Sequence, residues 1–154
     1  MSDEPLRPDP DRLLQHTAAP HRGKLKVFFG ACAGVGKTWA MLAEAQRLRA
    51  QGLDILIGVA ETHGRKETAA MLQGLSTLPP RRLAHRGRYV YEFDLDAALA
   101  RRPALILVDE LAHSNAPGSR HPKRWQDVDE LLAVSRDHRA YLHFHDFLPL
   151  RRFI

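Results

Sequence analysis

Cysteine and long apolar runs are what this sequence most lacks. It has one cysteine, Cys32, so no disulfide can form within the chain, and that usage fits a reducing compartment. No stretch approaches the roughly 20 consecutive apolar residues that a helix needs to cross a bilayer. We therefore predict a cytoplasmic location and no membrane span in this chain.

Aromatic residues and acids are also in the minority. Aromatic residues make up 7% of the chain, and 18 acidic residues face 23 lysines and arginines, which gives a formal net charge of +5. The arginines between residues 81 and 124 lack the interleaved aromatic side chains that stack on single-stranded nucleic acid. Positive charge alone is weak evidence for nucleic-acid binding. We therefore interpret these arginines as a solvated basic surface and predict no nucleic-acid partner.

The N-terminal segment lacks the continuous apolar stretch of a secretory signal. It carries acidic residues early and is interrupted by prolines, namely Pro5, Pro8, Pro10 and Pro20. We predict that residues 1–22 form a flexible arm. The remaining length suits one domain with its own core.

Apolar runs and helical patterns alternate along the rest of the chain. Short, nearly continuous apolar runs predict strands buried on both faces of a parallel sheet at Leu25–Phe29, Ile55–Ala60 and Ala104–Val108. Helices are predicted at Thr38–Ala50, Arg65–Leu75 and Leu95–Arg101, the last with Asp94 as its N-cap. A weak strand is expected within Arg82–Val90, where Gly87 interrupts the run. The alternation predicts an α/β fold with a doubly wound, mostly parallel sheet in three layers.

A glycine-rich turn follows the first predicted strand. It matches the phosphate-binding loop pattern if Ala31 takes the first glycine position, and the loop then comprises Ala31, Cys32, Ala33, Gly34, Val35, Gly36, Lys37 and Thr38. In such a loop backbone N–H groups surround a phosphate, and Lys37 would reach the β- and γ-phosphates. Thr38 would bind Mg²⁺. We therefore predict ATP and Mg²⁺ as ligands and a fold like that of P-loop NTPases.

Two acids end the third predicted strand. Asp109 and Glu110 directly follow the apolar run 104–108, in the pattern of a Walker B strand. A carboxylate at this end of a strand can bind Mg²⁺ through water, so Asp109 is the second candidate residue on the metal side. Glu110 is the candidate catalytic residue, which would orient or deprotonate an attacking water. The alternative is that both acids merely end a strand at the surface.

Longer segments carry a family resemblance. They are "GACAGVGKTWAMLAEAQRLRAQG" from Gly30, "ETHGRKET" from Glu61 and "EFDLDAALARRPALILVDELAHSNAPGSRHPKRWQDV" from Glu92. These segments closely resemble the N-terminal cytoplasmic domain of the KdpD family of osmosensitive, potassium-responsive sensor histidine kinases. The resemblance runs from about Gly23 to Leu132, so we predict a nucleotide-binding domain over residues 23–132.

The resemblance implies a regulatory module that binds ATP within a two-component system controlling potassium uptake. Its partners would be the nucleotide, the remaining domains of the sensor kinase and, indirectly, the response regulator. This chain has no "SHELRTPL"-like phosphoacceptor box and no kinase core, so we expect ATP binding or weak ATPase activity at most. A stand-alone small P-loop NTPase or kinase, and an inert fragment, remain alternatives. Steady-state ATP hydrolysis would separate the first two.

The end of the sequence departs from the resemblance. After Leu132 the family would continue with a glycine turn and a buried, Val- and Thr-rich strand, whereas this chain reads "AVSRDHRAYLHFHDFLPLRRFI". We predict that residues 133–154 form a divergent tail, produced by a frameshift or truncation, that packs poorly. The alternative is a natural short form in which Tyr141–Phe147 supplies a substitute strand.

Several further residues keep two interpretations. His63 and Arg65 follow the second predicted strand and either contact the nucleotide or begin a helix capped by Thr62. The segment Ser114–Trp125 is either a mobile switch over the phosphates or an ordinary surface loop.

Two other residue types have weaker metal or redox interpretations. His143 and His145 share a face of any extended segment and could bind a metal, although no third ligand is evident. Cys32 is interpreted as a small loop residue rather than a redox sensor.

Overall fold

The chain folds as an α/β layer structure. The computed structural model describes residues 24–29, 36–134 and 139–144. The strands in these residues are β1 Lys24–Phe29, β2 Ile55–Val59, β3 Ser76–Thr77, β4 Arg81–His85, β5 Arg88–Glu92, β6 Leu105–Val108 and β7 Arg139–Phe144. The helices are α1 Lys37–Ala50, α2 Lys66–Ala70, α3 Leu95–Arg101 and α4 Arg124–Val134. None of the helices in the described ranges has the length and apolarity that crossing a bilayer would require.

The main sheet contains five strands in the order β1-β7-β6-β2-β3, and every neighbouring pair is parallel. Parallel neighbours need crossover connections, and the helices lie in those connections. The carboxyl ends of β2 and β6 therefore meet at one edge of the sheet. The remaining two strands, β4 and β5, form a separate antiparallel sheet.

Alternate residues of the central strands bury their side chains on opposite faces of the sheet. Ile57 and Leu107 pack in one cluster with Met41 and Leu42 of α1. Their neighbours along β2 and β6 point to the other face and form a second cluster with residues of α3 and α4. This cluster contains Leu56, Ile106, Val108, Leu95, Ala98, Val128, Leu131 and Leu132. Since each fully buried aliphatic side chain contributes about 1.5–3 kcal/mol, these two clusters form the core. Helices thus cover both faces of the sheet, which gives the three layers predicted.

Several elements lie where the sequence predicts them. The continuous apolar runs form β1, β2 and β6, and the helix predicted at Leu95–Arg101 is α3. The Asp94 side chain accepts a hydrogen bond from the Ala97 amide at 3.0 Å. This contact satisfies one of the free N–H groups at the start of α3. The N-cap prediction for Asp94 is therefore confirmed.

Helix α2 is shorter than predicted. The sequence pattern predicts a helix over Arg65–Leu75, but α2 ends at Ala70. Beyond it the Leu72 amide bonds the Ala69 carbonyl and the Gln73 amide bonds the Ala70 carbonyl, so the chain continues in tighter, three-residue turns. Gly74 then takes a φ of 76°, which a right-handed helix does not allow. The Leu75 amide bonds the Leu72 carbonyl at 3.1 Å and closes the last of these turns.

The segment that follows is a hairpin rather than one weak strand. β4 and β5 pair in antiparallel register, with His85 opposite Arg88. The two residues between them, Arg86 and Gly87, have φ values of 48° and 74°. This geometry suits a two-residue hairpin turn, because its twist matches that of the flanking strands. Gly87 is the second residue of this turn and not an interruption within one strand, so the prediction of a single weak strand is wrong for this segment.

Strand β7 lies inside the main sheet, between β1 and β6. It pairs with β1 from Lys24 opposite Arg139 to Phe29 opposite Phe144, and it pairs with β6 along Leu105–Val108. The expectation of a poorly packing tail does not describe Arg139–Phe144, and the alternative of a substitute strand does. The substitute strand is predicted at Tyr141–Phe147, whereas β7 begins two residues earlier, at Arg139. Residues 145–147 lie outside the described residues. The domain boundaries at residues 22 and 132 stay predictions.

We expect Gly58→Ala to destabilise the protein, because β2 passes close to a buried ring at this position. A Cβ on Gly58 would lie 2.7 Å from Cε2 of Phe93 and 3.2 Å from Cδ1 of Ile106. Overpacking of this kind lowers the free energy of unfolding by about 1–3 kcal/mol, which urea denaturation measures. The double variant Gly58→Ala/Phe93→Leu should lose less than the sum of the single changes. Strict additivity would show that the ring is not the obstacle.

Candidate functional site

The candidate site lies where the end of β6 meets the start of α1. The Thr38 hydroxyl donates a hydrogen bond to Oδ2 of Asp109 at 3.2 Å, although the two residues are 71 positions apart. Asp109 is fully buried and Thr38 is 9% exposed. The structure thus brings together the two residues that sequence reasoning assigned to the metal.

Backbone amides hold the Asp109 carboxylate in place. Oδ2 also accepts from the Glu61 amide at 3.1 Å, and Oδ1 accepts from the Glu110 amide at 2.9 Å. The Asp109 amide itself bonds the Val59 carbonyl at 3.0 Å. A buried carboxylate needs such donors, because unpaired burial of a charge is costly. The carboxylate is therefore fixed between the carboxyl ends of β2 and β6, and it does not merely end a strand at the surface.

Helix α1 begins at this same edge of the sheet. Gly36 is its N-cap, with φ 79° and ψ 20°, a left-handed conformation that glycine adopts without a steric penalty. The Gly36 carbonyl accepts the first helical bond, from the Ala40 amide at 2.9 Å. Lys37 follows and is only 6% exposed. The other predicted loop residues, Ala31 to Val35, lie outside the described residues.

Glu110, the residue after Asp109, has a left-handed backbone conformation. Its φ is 54°, which is uncommon for a residue with a side chain. Its side chain is 36% exposed, and Oε2 lies 3.8 Å from Nη1 of Arg124. Glu110 is thus the more accessible of the two acids, whereas Asp109 is enclosed.

The segment after β2 reaches the site through its backbone. The Glu61 amide contacts the Asp109 carboxylate directly. The N-cap of α2 is Arg65, which makes no side-chain capping bond, so the prediction of Thr62 as the cap is wrong. The Thr62 carbonyl instead accepts a hydrogen bond from the Arg65 amide at 3.0 Å. His63 has a φ of 50° and is exposed. The contact prediction for His63 and Arg65 stays a prediction.

The segment from His113 to Arg124 is a closed, hydrogen-bonded loop. Ser114 and Lys123 form an antiparallel bridge, and the Lys123 ammonium also donates to the Ser114 hydroxyl. The Arg124 amide bonds the His113 carbonyl at 3.1 Å. This loop, residues 113–124, is therefore held at its base, whichever of its two predicted roles it has.

A buried polar contact ties this loop to α4. The Asn115 side-chain amide donates to Oδ2 of Asp127 at 2.8 Å and to the His121 carbonyl at 2.9 Å. Burial raises the pKa of Asp127, and the hydrogen bond from Asn115 partly opposes that effect. Asn115 therefore fixes the loop against the first turn of the helix.

Sequence reasoning missed a buried charged cluster behind Asp109. Arg124 is 4% exposed and Glu92 is 7% exposed, and Nη2 of Arg124 lies 3.5 Å from Oε2 of Glu92. Burial lowers the pKa of Arg124, and the charges of Glu92 and Glu110 partly oppose that effect. Both residues lie in the segment that carries the family resemblance, but nothing in their spacing indicates that they meet.

The metal and redox interpretations find no further support. The described residues contain no group of three or more His, Cys, Asp or Glu side chains arranged to hold a metal. His143 lies in β7, while His145 and Cys32 lie outside the described residues. These interpretations therefore rest on the sequence pattern alone.

Comparison with known proteins identifies the family. The model of the family described as "KdpD: Osmosensitive K+ channel His kinase sensor domain" matches residues 21–143, which extends past Leu132 to β7. The chain is 82% identical over 137 residues to the sensor protein KdpD of Escherichia coli, covering 89% of this chain and 15% of that protein. It is 50% identical over 120 residues to the sensor protein KdpD of Mycobacterium tuberculosis, covering 78% of this chain and 14% of that protein.

A shorter relative shows the same similarity. The putative sensor protein KdpD of Synechocystis sp. is 52% identical over 126 residues, covering 81% of this chain and 34% of that protein. The chain thus spans only a small part of the length of the curated relatives it matches. With most of the chain covered by the family model and by these alignments, it belongs to the KdpD family of osmosensitive K⁺ channel His kinase sensor domains.

Proposed function

We propose that this chain is a nucleotide-binding regulatory module that binds ATP together with Mg²⁺. The observation that carries the proposal is the buried hydrogen bond between Thr38 and Asp109. A hydroxyl at the start of a helix and a carboxylate at the end of a neighbouring parallel strand are the two protein oxygens that a phosphate-loop fold uses around Mg²⁺. Their contact across the chain supports a P-loop NTPase-like site.

Mg²⁺ chemistry suits the two oxygens. Mg²⁺ prefers oxygen ligands, keeps several waters, and usually binds through one or two protein groups plus the phosphates of its substrate. Thr38 and Asp109 would supply those two groups. The Asp109 carboxylate accepts from the Glu61 and Glu110 amides as well as from Thr38, so both candidate ligand oxygens lie close together before the ion arrives.

The start of α1 supplies the phosphate side of the proposal. Lys37 would neutralise the β- and γ-phosphates, and the first amides of a 14-residue helix favour an anion at its N-terminus. Ala31 to Gly36 would surround the β-phosphate with backbone N–H groups. This assignment rests on the sequence pattern for residues 31–35 and on the described position of Gly36, Lys37 and Thr38.

We further propose that nucleotide occupancy serves regulation. Membership of a sensor histidine kinase family favours a role in two-component signalling that controls potassium uptake, with the remaining kinase domains and a response regulator as partners. Glu110 would orient a water for slow hydrolysis at most. A stand-alone NTPase or kinase is the competing function, because the Glu110 side chain next to Asp109 is partly exposed.

Two measurements on the purified chain test the proposal. Calorimetry with ATP in the presence of Mg²⁺ should give saturable binding to a folded protein, and circular dichroism should establish that fold. Steady-state hydrolysis should then be slow compared with the median enzyme turnover of about 10 per second. Turnover at that rate would favour the stand-alone enzyme, and absence of binding by a folded chain would reject both functions.

Asp109→Asn should weaken the dependence of ATP affinity on Mg²⁺. The substitution keeps the side chain's size but removes the charge that attracts the cation. We expect the ratio of Kd values without and with Mg²⁺ to fall by roughly tenfold or more, as loss of one charged contact suggests. Asp129→Asn, at an exposed position of α4, is the control. An unchanged ratio in the Asp109 variant would place this residue away from the metal.

This chain should not phosphorylate itself on histidine. Its sequence lacks the phosphoacceptor box and kinase core that the family resemblance places elsewhere in the longer proteins. His113, in the resembling segment, has its ring nitrogen Nε2 held 3.0 Å from Oε2 of Glu92. Incubation with labelled ATP should therefore leave no acid-labile phosphate on the protein. Label that disappears in acid and resists alkali would contradict this expectation.

A further inference from the structure

Arg124 touches two strand ends with one guanidinium group. Its Nη1 donates to the Asp109 carbonyl at 3.2 Å and lies 3.8 Å from Oε2 of Glu110. Its Nη2 lies 3.5 Å from Oε2 of Glu92, the last residue of β5. The side chain is 5% exposed. A planar, rigid fork of donors thus joins the end of β6, which carries the candidate site, to the end of the hairpin.

Glu92 extends this connection into the loop of residues 113–124. Its Oε2 lies 3.0 Å from Nε2 of His113, and its Oε1 accepts from the Ala116 amide at 2.8 Å. The loop then returns to Arg124, whose amide bonds the His113 carbonyl. Glu92 is 7% exposed. Glu92 therefore connects the start of the loop, at His113 and Ala116, to the guanidinium of the residue that ends it.

The backbone that Arg124 holds is itself unusual. Glu110 adopts a left-handed φ of 54°, which residues with a Cβ adopt only when their surroundings impose it. Arg124 contacts the peptide carbonyl just before this residue and approaches its carboxylate. The Asp109 side chain bonds the amide of the same peptide unit. Asp109 and Arg124 thus hold opposite ends of one peptide group.

We propose that Arg124 is a positioning residue that couples the phosphate site to the 113–124 loop. This inference rests on the proposed function. An Mg²⁺-bound nucleotide that takes the oxygens of Thr38 and Asp109 replaces their hydrogen bond, and the Asp109–Glu110 peptide shifts with the carboxylate. Because the guanidinium is rigid, its contacts on the side of Glu92 follow that shift. The loop therefore adopts different arrangements in the empty and nucleotide-bound protein.

Tryptophan fluorescence can report this coupling separately from binding. The chain has two tryptophans: Trp39 in α1, and Trp125, the second residue of α4, which packs against the core. Trp39→Phe leaves Trp125 as the reporter beside the loop. In this background we measure ATP and Mg²⁺ binding by calorimetry and the emission of Trp125 in parallel titrations. Binding should change the Trp125 emission.

Arg124→Lys is the decisive variant, since lysine keeps the charge and loses the fork. A single ammonium cannot contact Asp109, Glu110 and Glu92 together. We expect the Kd for the Mg²⁺–ATP complex to stay within about threefold of the parent value, because the fork lies behind the acids. The Trp125 response should be largely lost, because a lysine at this position cannot hold Asp109 and Glu92 together. Arg120→Lys, at an exposed arginine of the same loop, should keep the full response.

Glu92→Gln provides a second route if the arginine variant does not fold. Its amide turns an N–H₂ group toward the guanidinium while an oxygen remains for Ala116, so it should also bind nucleotide with a reduced Trp125 response. A parent chain that binds nucleotide without any change at Trp125 overturns the coupling. So does a folded Arg124→Lys chain that keeps the parent response. A parent chain that binds no nucleotide defeats the proposed function instead, and the two failures are distinct.

Discussion

Lys37→Ala should lower the affinity for ATP by roughly ten- to hundredfold, the equivalent of losing one hydrogen bond to a charged group, about 1.5–3 kcal/mol. Lys37 lies in the first turn of α1, beside the Thr38–Asp109 contact, and only 6% of its surface is exposed. In the proposed function the Lys37 ammonium binds the β- and γ-phosphates of ATP. Calorimetric titration with ATP and Mg²⁺ measures the effect, after circular dichroism has established the fold.

A matched control separates the role of Lys37 from general loss of positive charge. Lys66 is an exposed lysine at the first position of α2, which follows the strand beside β6. Lys66→Ala removes the same charge from the same side of the sheet and should leave the ATP affinity nearly unchanged. Equal losses in the two variants would mean that only net charge attracts the nucleotide. Unchanged binding by folded Lys37→Ala would remove the phosphate-loop assignment.

Ending the chain at Val134 should abolish cooperative unfolding. The truncation removes β7, which lies between β1 and β6 and pairs with both. Without β7, β1 loses the neighbour it pairs with in the described sheet, and β6 gains an open edge. The free energy of unfolding of a whole domain is only about 5–15 kcal/mol. We expect the loss of a strand that pairs on both sides to cost more free energy than the domain has. Urea denaturation followed by circular dichroism should show no two-state transition.

A second truncation defines the comparison. A chain that ends at Phe144 keeps every described residue, and we expect it to unfold cooperatively. Hydrogen exchange in this chain should show strong protection across Arg139–Phe144, lost only with global unfolding. If the chain ending at Val134 unfolds with the same midpoint and the same m value, β7 contributes nothing to stability.

The sequence predicted most of the central sheet because its signals are local. The apolar runs of β2 and β6 are buried on both faces, so strand type and position follow from the residues themselves. Asp94 marks the start of α3 by its own chemistry. The proximity of Thr38 and Asp109 could also be predicted, because the carboxyl ends of parallel strands meet at one edge of the sheet.

Other features depend on contacts that the local sequence does not encode. Residues 139–144 read "RAYLHF", an alternating pattern that is typical of a half-exposed strand rather than of a central parallel one. Arg86 takes a positive φ that glycine usually takes, which hid the turn of the hairpin. Arg124 and Glu92 are charged residues that a composition argument places at the surface, and only the fold shows that they pair in the interior.

The strand order has a further consequence for the way the molecule acquires its structure. β1 is the first described strand and β7 the last, yet they are neighbours. Pairing between distant parts of a chain forms slowly, because the entropy of closing the intervening loop is lost before any contact compensates for it. Nearly the whole domain must therefore be available before its first strand can join the sheet. We therefore expect topology, rather than the speed of helix formation, to limit the folding rate of this protein.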